Sequence, residues 1–212
     1  YGFRRSSILA ALFNALILLL AVGGIAWEAI LRLNNPTSVA SGTIMWVASI
    51  GIVVNGITAW LFMSGQKNDL NVRGAYLHML ADAIVSLGVV LSALAIYFSG
   101  WFWLDPAVSL IIVVVITLGT WSLLKESLQL ALDAVPASIQ PDKVRAYLEG
   151  LPGVKAVHDL HIWGMSTTEI ALTVHLVKPD AKIDDALLAE IKEKLKYDFG
   201  ISHMTIQFEL GD

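Results

Sequence analysis

His78 and Asp82 lie four residues apart inside an apolar run that extends from about Ala75 to Phe98. Residues i and i+4 of an α-helix share a face, so this imidazole and this carboxylate would converge, and Ser86 continues the same face. Neutral imidazole beside ionised carboxylate suits a divalent first-row cation, zinc above all. Protons take the same atoms, so metal and proton compete for the pair. An ionisable group at membrane depth is costly and ordinarily faces a bundle interior or an aqueous cavity. The plainer alternative is a pair that only hydrogen-bonds to neighbouring helices. Two ligands are too few for a four-coordinate site. The other long apolar runs contain Asn14, Asn55 and Thr58 but no acid or histidine well inside, and Glu28 falls near a run end. Both asparagines read as interhelical hydrogen-bonding groups. His78 and Asp82 therefore look like half of a site.

The elements that must hold them follow from hydropathy. The chain has 212 residues, 56% of them hydrophobic and 15% charged, with a mean hydropathy of +0.68. Soluble domains carry about 25% charged residues. Charge is scarce between residues 6 and 124 and dense after 136, which implies a membrane part followed by a water-soluble part. A bilayer core of about 30 Å needs roughly 20 apolar residues. Four spans qualify, at about 8–31, 44–64, 75–98 and 107–124, with Trp27, Trp46, Trp101, Trp103 and Trp121 near their ends. Arg4, Arg5, Lys67, Arg73 and Lys125 fall on one side and Arg32 on the other, so both chain ends and the middle loop are expected in the cytoplasm. The net charge of −4 argues against a nucleic-acid partner, and the lack of cysteine excludes disulfides and thiolate metal sites.

After Pro136 the pattern becomes helix (141–154), strand (157–164), strand (169–177), helix (184–199) and strand (203–210). That order predicts a small α+β layer with helices on one sheet face. The expected domains are thus 1–135 in the membrane and 136–212 in the cytosol. His158 and His161 differ in strand parity, so they are expected on opposite sheet faces.

Several stretches carry a resemblance to the cation diffusion facilitator family of metal-ion/proton antiporters. YGFRRSSILAALFNA resembles the start of its third transmembrane helix, NVRGAYLHMLADAIVSLGVV its fifth with the HxxxD motif, and DPAVSLIIVVVITLGTWSLLKESLQLALDAVP its sixth. VHDLHIW and HMTIQFE resemble two strands of its ferredoxin-like, metallochaperone-like cytosolic domain. Nearly the whole chain is covered, and the likeness is closest to the bacterial zinc exporters. Family members have six membrane helices, of which this chain carries the last four. The absent second helix normally supplies the other two ligands, so the chain is expected to be N-terminally incomplete. The histidine-rich loop found in many members is also missing, because residues 64–74 contain no histidine.

The resemblance implies zinc efflux across the cytoplasmic membrane by proton antiport, with His78 and Asp82 as transport ligands and rocking helix bundles alternating access. It implies a homodimer joined through the cytosolic domain and the cytoplasmic membrane edge, where Arg5 and Asp133 would form a charged interlock. It also implies a candidate cytosolic regulatory zinc site drawing on His158 or His161, His175, His203 and Glu209. Members with a binuclear site carry another histidine where this chain has Gln207. Cadmium, cobalt, iron and manganese remain candidate cargoes. A membrane metalloenzyme would need several histidines at one depth, commonly as HxxxH or HExxH, and one stands alone here. A truncated, non-transporting member acting as a metal-binding, dimerising scaffold is the competing reading.

Overall fold

The computed structural model describes residues 3–34, 42–179 and 185–211. The chain divides into two compact units, Leu9–Ser127 and Tyr1–Ile8 with Leu128–Asp212.

The first unit is helical. Its elements are α1 (Ser6–Asn34), α2 (Gly42–Phe62), α3 (Leu70–Ser99) and α4 (Leu104–Ala131). All four are long and apolar enough to cross a membrane. Three of the predicted spans sit inside longer helices, because polar residues near a bilayer surface do not break a helix. Thus α3 begins five residues before Ala75: Asp69 caps it by accepting from the Asn71 N–H at 2.8 Å. It ends at Gly100, whose φ of 70° closes the helix in the left-handed conformation. The α2 helix stops at Phe62, before a short 3-10 turn at Gly65–Lys67.

The closest helix pair of this unit is α2 against α3. Ala48, Gly51, Ile52, Asn55, Gly56 and Ala59 form the half-buried stripe of α2, at the spacing of one helical face. Its other side presents Trp46, Val47, Ile50, Val53, Val54, Ile57 and Trp60 outward. On another face of α3, Ala81 packs with Val22 of α1 and Ile116 of α4. Gly74 admits the Asn14 carboxamide so closely that a Cβ there would lie 2.3 Å from Nδ2.

The C-terminal unit contains α5 (Pro141–Glu149), β1 (Ala156–Gly164), β2 (Ile170–Val177), α6 (Asp185–Phe199) and β3 (His203–Glu209). The sheet order is β1-β2-β3, with β1 antiparallel and β3 parallel to the central β2. The parallel pair requires a crossover, which α6 supplies. Val144 and Leu148 of α5, Ile191 and Leu195 of α6, and Leu172, Val174 and Leu176 of β2 are buried together on one sheet face. The architecture is therefore the expected α+β layer, of ferredoxin-like type. Tyr147 reaches towards Phe199 with ring centroids 5.7 Å apart. Burial, then the neighbouring Glu190, pushes its phenol above the ordinary tyrosine range.

One expectation is overturned locally. His158 pairs with His175 whereas His161 pairs with Thr173, so the register slips by one residue between them. Asp159 sits at φ 48°, the left-handed conformation of a bulge. The extra residue reverses strand parity, and Val157 and Ile162 both enter the core. His158 and His161 consequently share the open sheet face instead of opposing it.

Candidate metal sites

In α3, His78 Nε2 lies 3.6 Å from Asp82 Oδ2, and the two side chains are 49% and 46% exposed. They converge, as their spacing requires. The outer face of α3 carries Leu87, Leu91 and Leu94. At about 100° per residue these lie roughly 140–180° round the helix from His78. The pair therefore lies on the side of α3 turned away from those leucines. The partial exposure of both side chains leaves room for further donors. Among the described residues of the other three spans, no acid or histidine lies at this depth.

The open face of the C-terminal sheet brings together a second set. Glu209 bridges two imidazoles, with Oε2 2.9 Å from His158 Nε2 and Oε1 2.9 Å from His175 Nδ1. The rings stand edge to face with centroids 5.2 Å apart. One ligand atom from each of these three residues falls within 4.8 Å of the others. That spacing contracts readily round an ion with zinc–nitrogen bonds of about 2.0–2.1 Å. Gln207 Nε2 donates to Glu209 Oε1 at 2.9 Å and orients the carboxylate. Asp159 Oδ2 is 3.6 Å from Nδ1 of both His158 and His175. Asp159 was not singled out as a ligand from the sequence. Only its acidity between two histidines could have pointed to it, because the bulge that turns it inward is not visible there.

His161 and His203 do not join this set. His161 is one register step away, lining a cavity of about 850 Å³ with Arg4, Arg5, Asp133, Trp163 and Thr173. His203 begins β3, six residues before Glu209, and lies 3.1 Å from Arg4 Nη1. That guanidinium also donates to Glu169 Oε2 at 2.6 Å. Arg5 donates to Asp133 Oδ1. Glu126 accepts from Arg73 Nη1 at 2.6 Å, while Arg73 Nη2 donates to Ser122 Oγ at 3.0 Å.

Comparison with known proteins shows the family. Residues 1–130 match the family described as the cation efflux transmembrane domain. The chain belongs to the cation efflux, or cation diffusion facilitator, family. Residues 136–210 match the cation efflux protein cytoplasmic domain. The chain is 41% identical over 212 residues to the metal cation efflux system protein CzcD of Cupriavidus metallidurans, covering 100% of this chain and 67% of that protein. It is 37% identical over 214 residues to a cadmium, cobalt and zinc/H(+)-K(+) antiporter of Bacillus subtilis, covering 99% and 68%. The zinc transporter ZitB of Escherichia coli is 34% identical over 211 residues, covering 99% and 67%. A solved structure, the metal-bound C-terminal domain of the CzcD transporter, is similar at 40% identity and a TM-score of 0.31, covering 34% of this chain and 100% of that one. Cation diffusion facilitators are metal transporters, and the four apolar helices make this chain part of a multi-pass membrane protein.

Proposed function

We propose that this chain works in proton-coupled export of divalent cations from the cytoplasm, with zinc as preferred cargo and His78 and Asp82 as half of the transport site. The observation that carries the reading is the 3.6 Å approach of His78 to Asp82 on the side of α3 turned away from its apolar outer face. The relatives' names, as zinc transporter and as cadmium, cobalt and zinc antiporter, support the cargo class. Two further ligands would complete tetrahedral coordination, and the family resemblance assigns them to the family's second transmembrane helix. Cation binding requires neutral His78 and ionised Asp82, so metal loading releases protons and protonation on the far side releases metal. The inward proton gradient then drives the cation out.

The protein works as a homodimer in the cytoplasmic membrane, with its C-terminal unit in the cytosol; the match to a cytoplasmic domain supports that side. His158, His175 and Glu209 would hold a regulatory zinc there, with Asp159 beside them. Arg5 and Asp133 form the interlock at the membrane edge. Inverted membrane vesicles containing the intact gene product test the transport claim. Asp82→Ala is expected to abolish proton-driven zinc uptake, and uptake at the unsubstituted rate would remove Asp82 from the mechanism.

A further inference from the structure

Asn55 is the one carboxamide on the α2 stripe that packs on α3. The side chains around it on that stripe are Gly51, Ile52, Gly56 and Ala59. Asn55 is half-buried on that stripe, where a carboxamide among apolar neighbours gains from a hydrogen-bond partner. Ser49 and Thr58 satisfy themselves within α2, each donating at 2.8 Å to the carbonyl four residues back. Asn55 makes no such bond among the described residues. The element packed against this stripe is α3.

Helix register identifies that partner. A Cβ built on Gly51 would lie 3.1 Å from Ser86 Oγ, which fixes the level at which the two helices meet. The helices run antiparallel, joined by the short turn at Gly65–Lys67. One turn from Gly51 along α2 stands Asn55, and one turn back from Ser86 along α3 stands Asp82. A further turn brings Ala59, 4% exposed, to the level of His78. The small side chains Gly51 and Ala59 let α2 approach the face that bears His78, Asp82 and Ser86, and Asn55 is the polar group presented to Asp82.

We propose that Asn55 is a positioning residue for the transport site: its carboxamide N–H donates to one oxygen of Asp82 and leaves the other aimed with His78 at the cation. This rests on the reading of His78 and Asp82 as transport ligands. A carboxamide suits the task because it is neutral and takes no part in proton exchange. It orients the carboxylate without adding a charge that the cation would have to balance. Carboxylate ligands are commonly held this way by an outer hydrogen bond.

The test uses the intact gene product in proteoliposomes, with zinc as the probe, and compares Asn55→Ala, Asn55→Ser and Asp82→Ala. Alanine and serine both fit a stripe already lined by Gly51 and Ala59, so both variants insert, and they differ by one hydroxyl. Asn55→Ala is expected to raise the KM for zinc about 10–100-fold while the maximal rate holds within about twofold. Asn55→Ser, which keeps a donor, should recover part of that loss. An unchanged KM in Asn55→Ala, a fall in maximal rate at constant KM, or identical behaviour of the serine and alanine variants would each overturn the assignment. Undiminished flux in Asp82→Ala would instead remove the transport reading on which it rests.

Discussion

Glu209 gives one carboxylate oxygen to each of His158 and His175, the bridging geometry that a cation between the three groups would replace. Glu209→Gln removes the negative charge and half of the oxygen donors while conserving volume. In an Asp82→Ala background, which removes the proposed transport site, zinc affinity measured by chelator competition should fall about 10–100-fold. His203→Ala should leave that affinity unchanged, since six residues of strand separate it from Glu209 by about 20 Å. Loss of affinity in the His203 variant, or none in the Glu209 variant, would move the site elsewhere. The sequence supplied all these residues as candidates but could not choose among them. Strand parity set His158 and His161 on opposite faces, and the left-handed Asp159 reversed that. An aspartate in a strand carries no mark of a bulge, since it fits an edge or a turn equally well.

At the scale of elements, hydropathy located the four helices but not which of them touch. Gly74 marks one such contact. Its hydrogen leaves room for the Asn14 carboxamide and for Leu123 of α4, whose Cδ2 would lie 3.6 Å from an added Cβ. Gly74→Ala forces Asn14 to move and is expected to cost about 1–3 kcal/mol. The melting temperature of the detergent-solubilised protein should drop, and Asn14→Ala in the same chain should restore most of it. An unaltered melting temperature in Gly74→Ala would mean that α1 yields freely at this point. The reading of Asn14 as an interhelical group accords with this contact, although the sequence offered no partner for it. Arg73 presents the same lesson. It appeared as a topology-setting cation in a loop, yet it lies within α3 and is tied to Glu126 and Ser122 of α4.

For the whole molecule, the distribution of charge decides orientation. Arg32, the cation on the side poor in positive charge, is matched by Glu28 at 3.0 Å and by the buried Asp105 at 3.3 Å. Set against Arg4, Arg5, Lys67, Arg73 and Lys125 on the other side, this one cation leaves the bias towards a cytoplasmic middle loop in place. This chain has no cysteine, so a single cysteine at Lys67 reports that loop's side. A membrane-impermeant maleimide should label Lys67→Cys in inverted vesicles and not in intact cells. Labelling from outside the cell would reverse the topology, and with it the direction of transport.

Span count, the shared face of His78 and Asp82, and the helix–strand order of the tail were legible in the sequence, because each depends on hydropathy and periodicity within a few turns of chain. Tertiary structure alone brought His158, His175 and Glu209 together out of five candidate ligands, gave Arg4 to Glu169 and Glu126 to Arg73, and set Asn55 at the level of Asp82. Those outcomes depend on a one-residue register slip and on which helix faces meet, and both are settled by packing between segments far apart in the chain.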